Sequence, residues 1–251
     1  MFLADLTWPA VQALDRKLPV VIPIAAVEQH GHHLPVYTDS LLLGEVVRRA
    51  EPGVRDRALF APLQWLGNSH HHIDYPGTMS ASPRLYLDLL HDLAANLLRI
   101  GFERLLFLNG HGGNIIPCKQ VIFELRQNHR ARADLLLLFA SYWDLAKPFE
   151  EREGFVQNTM GHACEWETSM IQRLAPHLVA EDVSKLQTVP FGDGFAPGYR
   201  GWITKDRTPT GHIGSPEQAT PEKGEFLFNS FSAGVVKFLA RMENWDGGSW
   251  S

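Results

Sequence analysis

The stretch that most constrains this chain is Val21-Ile22-Pro23-Ile24-Ala25-Ala26-Val27, followed at once by Glu28-Gln29-His30-Gly31-His32-His33. A short, wholly apolar run reads as a strand buried on both faces, here Val20–Ala26, with the polar cluster at its carboxyl end. That is where open α/β sheets hold their ligands. Side chains alternate along an extended chain, so Glu28 and His30 are expected on one side. Pro35 and the Thr38-Asp39 pair predict a turn that returns a second carboxylate to the same place. One Glu, one His and one Asp so close together suit a divalent transition metal, zinc or manganese.

The rest of the sequence alternates between strand and helix signals. A short helix over Leu6–Leu14 precedes the first strand, and Asp39 or Ser40 caps a helix running to Arg49. Ala58–Leu63 is a second strand. Trp65–Ser82 is too polar for the core and reads as a loop. Ser82-Pro83 opens a long helix in which Leu85, Leu89, Leu93, Leu97 and Ile100 recur at helical spacing, closed by Gly101. Arg104–Leu108, a helix from Pro117 to about Asn128, and the strand Leu135–Tyr142 follow. The region 186–216 reads as a long ordered loop over the site, and a helix from Pro221 to about Met242 ends the chain. This order predicts a single domain over 1–251 with a mostly parallel sheet between helical layers, a three-layer α/β/α fold.

Composition excludes some partners. A net charge of −5 argues against nucleic acid or an anionic membrane surface, and no apolar run reaches the ~20 residues of a membrane span. The two cysteines, Cys118 and Cys164, form no framework. With no signal segment evident, the expectation is a reducing cytoplasm. Histidine is the unusual residue: twelve in all, with clusters at 30, 32, 33 and at 70, 71, 72, a pattern that fits metal binding or proton transfer.

Two further elements join the first. Asn109-Gly110-His111-Gly112-Gly113-Asn114 follows a strand and opens onto a helix. It lacks the Lys-Ser/Thr of a phosphate loop and offers a histidine, a candidate ligand, instead. Gly161-His162-Ala163-Cys164-Glu165-Trp166-Glu167-Thr168-Ser169 enters another helix. Acids at i and i+2 do not share a helix face. One of Glu165 and Glu167 therefore reaches the metal, while the other orients a neighbour or caps the helix. His162 is placed for a general acid or a substrate contact.

Together with Tyr75-Pro76-Gly77-Thr78 and Ser141-Tyr142-Trp143-Asp144, these motifs resemble, in order, those of the creatininase family of amidohydrolases. The resemblance runs from about residue 5 to 235. It implies an α/β/α fold, two divalent metal ions per chain (zinc first, manganese second) and a homohexamer. The implied reaction is cleavage of a cyclic or linear amide of a small molecule by metal-activated water. Carried over by position, Asp39 would bridge both metals, Glu28 and His111 would complete one, and His30 would serve the other. The family's glutamate ligand two residues after the glycine-turn histidine is here Gly113, and the resemblance implies Glu165 as its replacement, with His162 holding substrate or passing a proton to the leaving nitrogen. Trp143 matches a tryptophan that closes over substrate, whereas Asn158 stands where creatininases place a second one. His72 and Tyr75 are expected at the pocket, with His70 and His71 at its mouth. These departures argue against creatinine itself. A lactone or oxidised-cyclitol hydrolase, creatininase proper, and a non-catalytic metal-binding assembly are the alternatives.

Overall fold

The structure, a computed structural model, describes residues 1–180, 182–192, 195 and 197–248. Four parallel strands, β1 (Val20–Ile24), β2 (Leu59–Phe60), β3 (Arg104–Asn109) and β4 (Leu136–Ser141), form one sheet in the order β2-β1-β3-β4. The helices that cover it are α1 (Trp8–Gln12), α2 (Thr38–Ala50), α3 (Pro83–Arg99), α4 (Ile115–Asn128), α5 (Pro148–Glu151), α6 (Glu165–Leu174) and α7 (Pro221–Glu243).

The period of two sorts the core into two layers. Val20, Ile22 and Ile24 of β1, with Leu105 and Phe107 of β3, pack against α3 and α4. Val21, Leu106 and Leu108 face the other way, onto α2, α6 and α7. Both faces are therefore covered, which is why β1 and β3 are apolar without alternation. The three-layer α/β/α architecture expected from the sequence is the one observed. No helix among the described residues is long and apolar enough to cross a membrane.

Four details differ from the sequence reading. Helix α2 begins at Thr38, so Asp39 and Ser40 lie in its first turn and neither caps it. The second strand is cut to two residues because Pro62, two positions on, has no N–H to pair. Helix α4 starts at Ile115, two residues before Pro117. In α3 the buried stripe is Tyr86, Leu90, Ala94 and Leu98, one position off the leucine row, while Leu85 and Ile100 are exposed. A helix so leucine-rich offers two overlapping apolar stripes, and the tertiary neighbours decide which turns inward. Ser82 caps it as expected, its side chain accepting from the Leu85 N–H.

The topology creates the site. The chain leaves β1 toward α2 on one face of the sheet, and leaves the adjacent β3 toward α4 on the other. Neighbouring strands whose connections diverge leave a crevice at their carboxyl ends.

Candidate metal centre

Each element delivers one or two groups into that crevice. Glu28 and His30 lie just past β1, where Gly31, at φ 64°, turns the chain sharply; glycine has no Cβ to resist this conformation. Asp39 comes from the first turn of α2 and His111 directly follows β3. Glu167 sits in the first turn of α6. His162 is held by a two-way backbone pairing with Ile213. The next residue, Ala163, is in the left-handed region at φ 47° and fully buried. That conformation costs a non-glycine residue roughly 1–2 kcal/mol, and it turns the chain from His162 into the cap of α6.

The hydrogen bonds fix which ring nitrogens face inward. His30 Nδ1 lies 3.0 Å from the Glu28 carbonyl, to which it donates. Its Nε2 then presents a lone pair, 3.1 Å from Asp39 Oδ1 and 3.7 Å from Glu167 Oε1. His111 Nε2 lies 3.1 Å from the Asn68 carbonyl, which leaves Nδ1 3.0 Å from Asp39 Oδ2 and 3.3 Å from Glu28 Oε1. One carboxylate, Asp39, therefore stands between two imidazole nitrogens with acidic oxygens beyond each. Glu28 Oε2 and Asp39 Oδ2 are buried and accept no hydrogen bond among the described residues. Lone pairs aimed at carboxylates repel unless a positive charge lies between them. The residues therefore fit divalent cations on both sides of Asp39.

Without metal, protons take that place. Burial disfavours charge on both rings, but Asp39 outweighs it at His30 and raises that pKa well above the ordinary value. Burial is likewise outweighed at His111 by Glu28 and Asp39, which bring it up to about 10. At neutral pH each ring then binds a proton that a metal must displace. Zinc titrated into metal-free protein is expected to release protons, and its affinity to fall as pH is lowered. Calorimetry in two buffers of different ionisation enthalpy checks this; identical heats would contradict it.

The other histidines behave oppositely. Burial first, then neighbouring imidazoles, hold His162 and His72 well below the ordinary range and bring His71 down to about 3, so all three are neutral. His162 packs 4.4 Å from the His30 ring and 4.3 Å from that of His72. His72 Nε2 is 3.3 Å from Glu28 Oε1. Gln29, not singled out in the sequence, joins this set, its side-chain amide reaching His72, His162 and the Gly211 carbonyl.

Glu28, Asp39, His111, His72, His162 and Trp143 thus line one cavity of about 580 Å³, and His30 lies behind them against Asp39 and His162. Three other expectations do not fit the geometry. Glu165 points away: it ion-pairs with Lys223 at 2.6 Å and accepts the backbone N–H groups of Val156 and Gln157. Residues i and i+2 lie roughly 200° apart around a helix, so Glu167 faces His30 when Glu165 turns toward α7. Glu167 also caps α6, its Oε2 accepting the Cys164 N–H. Asn158 is exposed and lies off the cavity wall. Tyr75 also lies off that wall, and its hydroxyl donates to the Thr208 carbonyl. Of the mouth histidines, His71 lines the cavity, while His70 is exposed and bonded to Ser80. A carboxylate at position 113 has no room, since a Cβ there would stand 2.1 Å from the Asn68 carbonyl oxygen.

A strand-end cluster of three carboxylates and several histidines in an α/β/α fold makes a candidate metal centre. The chain belongs to the creatininase family, whose model, described as creatinine amidohydrolase, matches residues 4–239. It is 29% identical to the creatinine amidohydrolase of Pseudomonas putida, with 94% of this chain and 95% of that protein covered. It is 26% identical to the mycofactocin precursor peptide peptidase of Mycobacterium ulcerans (strain Agy99), with 94% and 86% covered. A manganese form of creatininase superposes with a TM-score of 0.81 at 28% identity, covering 97% of this chain and 99% of that one. A zinc–zinc form of a creatininase mutant matches with a TM-score of 0.80 at 28% identity, covering 97% and 98%.

Proposed function

We propose that this chain is a two-metal amidohydrolase acting on a C–N bond of a small molecule. The observation that carries this is the Asp39 carboxylate set between the inward lone pairs of His30 and His111, with buried carboxylate oxygens left unpartnered. Glu28, His111 and Asp39 would hold one divalent cation, and His30, Glu167 and Asp39 the other. Zinc or manganese suits these nitrogen and oxygen donors, and the likeness to zinc and manganese forms of creatininase supports that choice. Bound there, the two cations supply Lewis acidity to the scissile carbonyl and to a water.

The protein's own groups do the rest. His162 Nε2 lies 2.8 Å from the Gln29 carbonyl and donates to it, which leaves Nδ1 as an acceptor, 3.4 Å from Glu28 Oε1. A neutral imidazole so oriented would take a proton from the attacking water at Nδ1 and pass it to the leaving nitrogen. The Gln29 backbone carbonyl and the Ile213 pairing keep the ring in that orientation. Trp143 supplies an apolar wall for the substrate.

The substrate is expected to be larger than creatinine. A cavity of this volume suits a drug-sized ligand, far more than one small ring fills. Its aromatic wall beyond Trp143 comes from Phe191, Tyr199 and Trp202 and not from position 158. Steady-state kinetics of zinc- or manganese-loaded protein on cyclic amides, ureas, formamides and creatinine tests the reading. Turnover of one of the first three classes is expected, with kcat/KM for creatinine below ~10⁴ M⁻¹s⁻¹. Loaded protein that turns over none of the panel would contradict it.

A further inference from the structure

The long segment over the site brings one group that the hydrolytic chemistry does not use. Arg207 lines the cavity, and among the described lining residues it is the only lysine or arginine. Its guanidinium lies over the Trp202 ring, 5.2 Å from the centroid. One Nη2–H donates to the Phe191 carbonyl at 2.8 Å; its other N–H groups have no described acceptor, and no described carboxylate pairs with it. Trp202 in turn meets His71 edge-on at 5.2 Å, and His71 stacks on His111. The guanidinium is therefore fixed at the outer end of a run of rings whose inner end is the carboxylate cluster.

Arginine packed on an aromatic face keeps its charge and loses little freedom, and its free edge matches a planar carboxylate. The inner end, with Glu28, Asp39 and Glu167 offset by two dications, carries no net negative charge to repel an anion. We propose that Arg207 is the anion-binding end of the substrate site, and that the substrate is an amide with a carboxylate remote from the scissile bond. This rests on the hydrolase reading above and narrows its substrate class. A guanidinium that only ties the loop together would show no such preference.

The test uses zinc-loaded protein whose zinc content has been measured. Binding of α,ω-dicarboxylates, succinate through sebacate, is compared calorimetrically with that of their half-amides, which lack the second charge. At the best length the dicarboxylate is expected to bind about tenfold tighter or more. Arg207→Gln should abolish that ratio, and Arg207→Lys should keep part of it, because charge remains without the fork. Melting temperatures and zinc contents equal to wild type show that the variants are folded. Absence of a preference at every length, or a preference that survives in R207Q, overturns the assignment. Protein that takes up no zinc overturns the hydrolase reading itself, a result separate from the Arg207 comparison.

Discussion

Asp39→Ala protein is expected to lose both metal ions together and to retain no more than about a thousandth of wild-type turnover. Asp39 Oδ1 faces His30 and Oδ2 faces His111, so its two oxygens reach the ring nitrogens of both halves of the centre. His30→Ala, by contrast, removes one nitrogen from one half and should reduce mainly that occupancy. The measurement is zinc per chain after reconstitution and gel filtration, read for both variants beside wild type. Full occupancy in Asp39→Ala would show that the carboxylate does not bridge.

The two glutamates of α6 should separate cleanly. Glu167→Gln is expected to weaken zinc on the His30 side about a hundredfold or more, beyond the ~10–100-fold that follows loss of a supporting partner. It should cost only about 1 kcal/mol through the weakened cap. Glu165→Gln should leave zinc content unchanged and destabilise the fold by about 2–3 kcal/mol, because the largely buried Lys223 ammonium loses its carboxylate. Zinc content and the urea midpoint, taken on the same preparations, distinguish them. Zinc lost in Glu165→Gln and kept in Glu167→Gln would restore the assignment first expected from position.

The two glutamates mark the limit of what a local pattern encodes. The apolar runs of β1 and β3 and the donors beyond each are local patterns, so the strands, Glu28, His30, Asp39 and His111 were all legible. The choice between Glu165 and Glu167 depends on the rotation of α6 about its axis. Glu165 meets Lys223, 58 positions away, and no local pattern encodes that pairing. The buried face of α3 lies one position off its leucine row for the same kind of reason. The offset from His162 places Asn158 at the pocket, but the backbone carries it to the surface and the walls come from elsewhere. Phe191, Trp202 and Arg207 lie in an aperiodic segment, where residue type gives no hint of direction. Gly113 was legible as a departure, while its cause, the closeness of the Asn68 carbonyl, was not.

The central claim, a pair of metals astride Asp39, meets its most direct test in anomalous diffraction at the zinc edge from crystals of zinc-loaded protein. The expected map has two peaks flanking the Asp39 carboxylate, one contacted by Glu28 and His111 and the other by His30 and Glu167. A single peak, or a second one held by Glu165, would contradict it.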